Sequence, residues 1–341
     1  MTDTLDEVTV SLVVPVYAGE AYLEALVAAA GALRERWHAE GAPITVSEMV
    51  LVDDAAIDGS ADLIDRLGDL YPWVVPVHLS RNFGQHASTA AGILHSSGDW
   101  IVTLDEDLQH PPERVPALLQ HAVSNGLDVV YAQPAEGPHQ AAWRDTSSRG
   151  FKRLMSWLTG NAHLRLFNSF RLIRGPIARA AASVSGHDTY FDIGLSWFTA
   201  RVDAIEMSLT DARFKESGKS GYTLKSLFSH ALRMLFSSQI RFLSLGIVLG
   251  ILLFFVSFSG GVFYLLRKLI APETIAVEGW TSLFLLICFS AGLLAFMLGI
   301  TLKYLSTLVL KAHGKPLFFT IDRSRDAQLV AWFSQAEEKA A

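Results

Sequence analysis

Residues 99–112, "DWIVTLDEDLQHPP", decide how this chain is interpreted. An apolar, β-branched run is typical of a buried strand, and here it leads directly into three acidic residues and then two prolines. If the strand continues, Asp105 and Asp107 are predicted to share one face, with Glu106 on the other face and dispensable. Carboxylate oxygens suit Mg²⁺ or Mn²⁺, which usually keep water and substrate phosphate as further ligands. We therefore predict a divalent-metal site at Asp105 and Asp107, with an ordinary acidic surface turn as the alternative.

Strand-like and helical patterns alternate through the first hundred residues. The predicted strands are 8–17, 47–56, 74–80 and 99–108, and the predicted helices are 21–40, 60–71 and 86–98, with Ser60 as an N-cap. Alternation of this kind predicts an α/β domain with a mainly parallel sheet. Ligands bind beyond the carboxyl ends of such strands. Tyr17, Asp53 and Asp54 are expected to meet the acidic residues there.

Composition and missing motifs exclude several classes of protein. The chain has 341 residues, 50% of them hydrophobic, and its mean hydropathy of +0.30 is high for a soluble protein. The net charge of −6 and the lack of a basic block argue against nucleic-acid binding. No Gly-x-Gly-x-x-Gly or phosphate-binding loop follows a strand, which disfavours oxidoreductases and nucleotide triphosphatases. One cysteine cannot form an internal disulfide.

Two uncharged stretches near the end of the chain, 242–266 and 281–302, are long enough to cross a bilayer. The short linker between them predicts a helical hairpin, with two buried core helices as the alternative. The acidic N-terminus is unlike a signal peptide, and the positive-inside rule places the first domain in the cytoplasm. Residues 224–236 suggest an amphipathic helix, either on the membrane surface or packed on that domain.

The predicted organisation has four parts. They are a catalytic domain (1–212), a juxtamembrane basic motif with the amphipathic helix (213–241), the membrane hairpin (242–302) and a cytoplasmic tail (303–341).

Six motifs occur in a recognisable order: "SLVVPVY", "VLVDDAAIDGS", "LSRNFGQHAS", "TLDEDLQHPP", "SFRLIRG" and "GKSGYTLKSL". Over residues 8–310 the chain resembles the inverting family 2 glycosyltransferases. The nearest group is the polyprenyl-phosphate glycosyltransferases, which include dolichol-phosphate mannose synthase and the bacterial undecaprenyl-phosphate glucosyl and aminoarabinose transferases.

The resemblance implies a GT-A fold, Mg²⁺ or Mn²⁺, a nucleotide-sugar donor with UDP as its carrier, and a polyprenyl-phosphate acceptor. The product would be a lipid-linked sugar for envelope glycans, made at the cytoplasmic face of a bacterial membrane. We also expect a homo-oligomer. Alternatives from other classes are a non-catalytic membrane scaffold and a processive polysaccharide synthase.

The resemblance, together with the need for positive charge beside the leaving diphosphate, assigns site residues in three groups. The donor would be bound by Pro15, Tyr17, Glu20, Asp53, Asp54, Arg81, Asn82 and Gly84. The catalytic group would be Asp105, Asp107, Ser169, Arg171 and Asp192, with Asp107 and Asp105 on the metal. The acceptor phosphate would be bound by Arg213, Lys215, Lys219, Ser220 and Tyr222.

Some positions depart from the pattern of the family. Ser169 stands where many relatives have an acid, and Asp192 is either its substitute or a helix N-cap. Ala55 replaces a glycine, which tightens that turn.

Because a phosphate monoester is mostly dianionic near neutral pH, the acceptor needs orientation more than deprotonation. Histidines 86, 110 and 187 are expected to be polar surface or crevice residues.

Overall fold

The structure is a computed structural model that describes residues 7–135, 166–185, 191–207, 241–271, 279–312, 314, 316 and 319–340. The strands are β1 (Val8–Val16), β2 (Ile44–Asp53), β3 (Val74–His78), β4 (Trp100–Thr103), β5 (Val129–Pro134), β6 (Arg171–Arg174) and β7 (Val202–Met207). The helices are α1 (Leu23–Ala39), α2 (Ser60–Leu70), α3 (Gln85–His95), α4 (Val115–Ser124), α5 (Gly175–Val184), α6 (Phe191–Leu195), α7 (Arg241–Ile270), α8 (Trp280–Ala312) and α9 (Asp326–Ala340).

The seven strands form one mixed sheet in the order β3-β2-β1-β4-β6-β5-β7. The first four in that order are parallel, β6 is antiparallel to both of its neighbours, and β7 is parallel to β5. The predicted α/β class with a mainly parallel sheet is confirmed. Because helices cover both faces of the sheet, β1 and β4 are buried almost throughout and read as apolar runs in the sequence.

Each face of the sheet carries its own apolar core. Trp37 and Trp100 are fully buried in the core shared with α1 and α4. Tyr131 and Phe191 are fully buried in the core shared with α3 and α5. Burial of such large rings is a major stabilising contribution, and it fixes the helices against the sheet.

Strand β4 ends at Thr103, so the acidic residues lie in the turn that follows it and not in the strand. Leu108 in this turn has φ of +61°, a left-handed conformation that side chains rarely adopt. The premise that Asp105 and Asp107 share a strand face was therefore wrong. The predicted N-cap at Ser60 was wrong by one residue, because Gly59 holds that position and Ser60 begins α2.

Helices α7 and α8 pack against each other in antiparallel fashion. The backbone of Phe296 lies against Gly250 and that of Phe254 lies against Gly292, at distances a Cβ atom would not permit. Gly261 of α7, in contrast, has no neighbour within 4 Å of where its Cβ would be. Segments Gly250–Ile270 and Ser282–Val309 are long and apolar enough to cross a membrane, and only 11% of an apolar 18-residue stretch in each is buried. They are not core helices of the α/β domain.

The chain returns to the α/β domain after α8, which runs ten residues past the predicted end of the span, to Ala312. Phe319 packs edge-on against Phe198 at 5.1 Å. Leu329 and Phe333 of α9 are buried in the core beside α4. Residues 319–340, here named the C-terminal segment, are thus part of the domain and not a free tail.

Several predictions lie outside the described residues. They concern the acceptor-phosphate residues Arg213, Lys215, Lys219, Ser220 and Tyr222, the amphipathic helix at 224–236, and His187.

Candidate active site

A crevice of about 400 Å³ opens where β1, β2 and β4 end. This is where ligands bind in sheets of this type. The predicted residues that line it are Pro15, Tyr17, Asp54, Asn82, Gly84, Asp105 and Asp107. Val16, Gln85 and Glu106 complete the lining. The sheet therefore brings together residues that are up to 92 positions apart in the chain.

The carboxylate of Asp105 is held on both oxygens. Gln85 donates from Nε2 to Oδ1 over 2.7 Å, and Ser169 donates from Oγ to Oδ2 over 2.9 Å. The backbone N–H of Asp105 donates to Nδ1 of His110 over 3.0 Å. Ser169 therefore acts as a hydrogen-bond donor to a neighbouring acid at the position where an acid was expected.

Glu106 lines the crevice, so the prediction that its side chain points away from the site was wrong. Its carboxylate accepts hydrogen bonds from the N–H groups of Tyr17, at 2.7 Å, and Ala18, at 3.2 Å. A Cβ on Gly19 would come within 3.0 Å of the same carboxylate, so only glycine fits there without movement. Glu106 thus shapes the loop after β1 that carries Tyr17.

Asp54 organises the loop before α3. It is buried, and it accepts hydrogen bonds from the N–H groups of Phe83 at 2.7 Å and Gly84 at 2.8 Å. Gly84 has φ of +90°, which a side chain would strain. Arg81 is exposed and lies over the ring of Phe83, 4.2 Å from its centroid. Arg81 is not among the residues that line the crevice.

Asp53 and Glu20 support the crevice from just outside its lining. Asp53 accepts from the N–H of Ala56 at 2.7 Å and contacts Nδ1 of His78 at 3.0 Å. The hydrogen bond to Asp53 raises the pKa of His78, against the effect of burial, and Asp65 adds to the increase. Glu20 accepts from the N–H of Gly59 at 2.9 Å, which links the loops after β1 and β2.

Arg171 and Asp192 are buried away from the crevice lining and paired with each other. Asp192 also accepts a hydrogen bond from the hydroxyl of Tyr131 at 2.6 Å, and Arg171 lies over the ring of Phe191, 4.7 Å from its centroid. Asp192 lies within α6, as its second residue, and so is not the N-cap of that helix. The direct catalytic roles assigned to this pair stay predictions, and its visible role is to fix α6 against β5 and β6.

His110 was predicted to be a polar surface or crevice residue, and the structure places it in a buried position against the acidic turn. Its buried ring stacks on Phe170 at 4.9 Å, and burial lowers the pKa of the imidazole, although Asp105 and Asp107 act to raise it. Because Nδ1 accepts the N–H of Asp105, the neutral ring carries its proton on Nε2. The only signal in the sequence was its place inside the turn, five residues after Asp105.

The crevice fits a metal ion that arrives with its substrate. Within the described ranges, no three His, Cys, Asp or Glu side chains form a group that could hold an ion by themselves. Asp105 and Asp107 can supply two carboxylates, and Mg²⁺ or Mn²⁺ commonly takes its remaining ligands from substrate phosphates and water. The residues present are therefore compatible with a metal-bound diphosphate.

Comparison with known proteins agrees with this geometry. Residues 11–179 match the family described as "Glycosyl transferase family 2". The chain carries a family 2 glycosyltransferase domain. The match runs from β1 into α5, so it spans every element that lines the crevice. The protein is accordingly a glycosyltransferase.

Similar proteins extend the match beyond the family 2 domain. The undecaprenyl-phosphate 4-deoxy-4-formamido-L-arabinose transferases of Salmonella paratyphi A and Salmonella dublin are each 29% identical to this chain over 315 residues. Each alignment covers 91% of this chain and 92% of the relative. It therefore includes most of the region beyond the family 2 domain.

Solved structures show more distant similarity. The glucosyl-3-phosphoglycerate synthase of Mycobacterium tuberculosis, in complex with UDP, is 15% identical and has a TM-score of 0.46, covering 68% of this chain and 80% of its own. TarS of S. aureus, in complex with UDP-GlcNAc, is 15% identical and has a TM-score of 0.43, covering 68% of each chain.

Proposed function

We propose that this glycosyltransferase moves one sugar from a nucleotide sugar, with UDP as the carrier, to a polyprenyl phosphate. The observation that carries the proposal is the crevice at the strand ends, with Asp105 and Asp107 in its lining, in a chain that also has two long, exposed apolar helices. The Salmonella relatives are undecaprenyl-phosphate transferases, which supports the choice of acceptor.

The donor half of the reaction depends on charge neutralisation. Loss of a nucleoside diphosphate leaves negative charge on the leaving group, and a divalent ion bound to that diphosphate would stabilise it. Asp107, with Asp105, would hold the ion in this chain. Tyr17 and Asp54, at the ends of β1 and β2, would frame the nucleotide.

The acceptor half does not require a strong base. A phosphate monoester has a second pKa of about 6 and is already nucleophilic at neutral pH. Ser169, which donates to Asp105, is not placed as a base, and the acceptor has only to be oriented for in-line attack. Such an attack would invert the anomeric centre.

The apolar helices would hold the enzyme where its lipid acceptor lies. Large side chains such as Phe263, Leu294 and Met297 are more than half exposed on α7 and α8. Such an apolar surface is costly in water and favourable in a bilayer. We propose a bacterial cytoplasmic-membrane location with the catalytic domain on the cytoplasmic side. Assembly into a homo-oligomer stays a prediction.

The proposal is tested by incubating the purified full-length protein with undecaprenyl phosphate, Mn²⁺ and a panel of radiolabelled UDP-sugars. We expect label in an organic-extractable lipid, and loss of that label in Asp107→Ala. Glu113→Ala, which removes an exposed acid close to the same turn, is the matched control and should keep activity.

Other outcomes would replace the proposal. Binding of UDP and Mn²⁺ without transfer from any sugar nucleotide would favour a non-catalytic scaffold. Label in a long polymer would favour a processive polysaccharide synthase. Full activity in Asp107→Ala would contradict the metal site.

A further inference from the structure

We propose that Gln85 and His110 are positioning residues that fix the orientation of Asp105 for the reaction. This inference rests on the proposed function. Gln85 precedes the three acidic residues of the turn in the chain, and His110 follows them. Gln85 donates to the carboxylate of Asp105, whereas His110 accepts from its backbone N–H through Nδ1, which also lies 3.5 Å from Oδ2.

The backbone conformation of the preceding loop places Gln85 at the crevice. Asp54 holds the N–H of Gly84 at 2.8 Å, and Gly84 takes φ of +90°, so α3 begins at Gln85. The side chain of Gln85 lines the crevice and donates to Oδ1 of Asp105 over 2.7 Å. Because Gln85 is exposed, this hydrogen bond contributes little to global stability, and its effect should be local to the site.

His110 accepts the first backbone N–H after the hydrogen bonds between β1 and β4 end. The last hydrogen bond between β1 and the end of β4 runs from the N–H of Leu104 to the carbonyl of Val13, at 3.0 Å. The next N–H, that of Asp105, donates to Nδ1 of His110. The buried imidazole rests on Phe170, so it is a rigid acceptor that sets the direction in which the chain leaves the strand.

Together with the hydrogen bond from Ser169, these two contacts restrict the orientation of Asp105. Its backbone is fixed by His110, Oδ1 is fixed by Gln85, and Oδ2 is fixed by Ser169 at 2.9 Å. A carboxylate held in this way needs no reordering when a substrate arrives, and such preorganisation lowers the barrier to reaction. Gln85 and His110 therefore act on substrate through Asp105 and are not catalytic residues themselves.

Gln85→Leu is the first test, because an exposed residue can be changed without unfolding the protein. We expect an unchanged melting temperature, binding of UDP with Mn²⁺ weakened roughly ten-fold in calorimetry, and a fall in kcat larger than the rise in KM for the donor. Gln120→Leu is the matched control, since Gln120 lies on α4 and contacts Glu337 of the C-terminal segment. It should bind and turn over like the wild type.

His110 is tested by rescue. Asn places a side-chain oxygen near the position of Nδ1, whereas Phe preserves the ring but removes the acceptor. We expect His110→Phe to lose both UDP–Mn²⁺ affinity and kcat, and His110→Asn to regain most of both. A merely structural role predicts the opposite order, because Phe fills the space beside Phe170 better than Asn.

The outcomes separate this inference from the proposed function. Wild-type binding and kcat in Gln85→Leu, or equal loss in His110→Asn and His110→Phe, would overturn the positioning roles. If the wild type transfers no sugar but Gln85→Leu still weakens UDP–Mn²⁺ binding, the positioning of Asp105 holds and the proposed function fails. If the wild type binds no UDP with Mn²⁺, both are overturned.

Discussion

The carboxylate of Glu106 accepts a hydrogen bond of 2.7 Å from the backbone N–H of Tyr17. The middle acid of the "DED" sequence therefore links the turn after β4 to the loop after β1, which are neighbouring strands in the sheet. The three acids have different contacts. Asp105 is held by side chains around it, Glu106 holds a backbone loop, and Asp107 lines the crevice as a buried carboxylate.

Glu106→Ala should weaken donor binding. Without the carboxylate, the N–H groups of Tyr17 and Ala18 lose their acceptor and the loop that carries Tyr17 relaxes. We expect roughly ten-fold lower affinity for UDP, the scale of a hydrogen bond to a charged group, with Glu106→Gln intermediate. Isothermal titration with UDP measures the effect. Equal affinity in all three proteins would show that the loop holds its shape without Glu106.

Ala55→Gly should stabilise the protein. Ala55 has φ of +53°, a left-handed conformation that costs an L-residue about 1–2 kcal/mol and costs glycine little. The greater flexibility of unfolded glycine offsets about 0.5–1 kcal/mol of that gain. A net increase of about 0.5–1 kcal/mol should appear as a higher melting temperature in detergent. Ala56→Gly, at a neighbour without positive φ, should lower it, and a lower value for Ala55→Gly would contradict the strain.

His78 should make stability depend on pH. Its pKa lies above 6.5 in the folded protein because of the hydrogen bond to Asp53, with help from Asp65 and against the effect of burial. The charged imidazolium therefore stabilises the fold fully below 6.5, and this contribution is lost as the pH rises through the folded pKa. The melting-temperature difference between wild type and His78→Gln should be larger at about pH 6 than at about pH 8.5.

Asp65→Asn should reduce this pH dependence without abolishing it, since the contact between His78 and Asp53 remains. A difference between wild type and His78→Gln that grows as the pH rises would contradict the direction of the pKa shift.

Asp128→Asn should detach the C-terminal segment and lower global stability. Asp128 is 1% exposed and accepts from Nε of Arg174 at 3.1 Å, from Arg323 at 2.5 Å and from Thr199 at 2.7 Å. Removing the charge leaves the buried Arg174 and the partly buried Arg323 with Asp326 as their remaining acidic partner. Loss of one partner of a buried pair costs up to about 3–5 kcal/mol. Limited proteolysis should release residues 319–340 earlier than in the wild type.

Arg323→Ala should have a smaller effect than Asp128→Asn, because the Arg323 side chain is 27% exposed and water can replace part of its contacts. Glu338→Ala, at an exposed position of α9, is the control and should digest like the wild type. If Asp128→Asn also digests like the wild type, the ion pairs do not hold the segment.

The sequence predicted the sheet and the crevice because each depends on local patterns. Buried strands such as β1 are mostly apolar, and the polar residues that follow β1, β2 and β4 meet because parallel strands end at one edge. The same reasoning failed for Glu106. The two-residue period of side chains holds only inside a strand, and β4 ends at Thr103.

Local sequence patterns could not predict contacts between residues that are far apart in the chain. Arg171 and Asp192 are each polar residues in apolar surroundings, but only the packing of α6 on the sheet shows that they neutralise each other. Leu329 and Phe333 have the four-residue spacing of an amphipathic helix. That spacing predicts a helix with one buried face, but it does not predict which surface covers that face. The surface is α4, which precedes the apolar helices α7 and α8 in the chain, whereas α9 follows them.

Residues 319–340 are the last of the described chain to leave the ribosome, yet Leu329 and Phe333 belong to the same core as β1, which is made first. The catalytic domain cannot complete its core until both apolar helices have been synthesised. Production of a fully folded enzyme is thereby tied in time to synthesis of its two apolar helices.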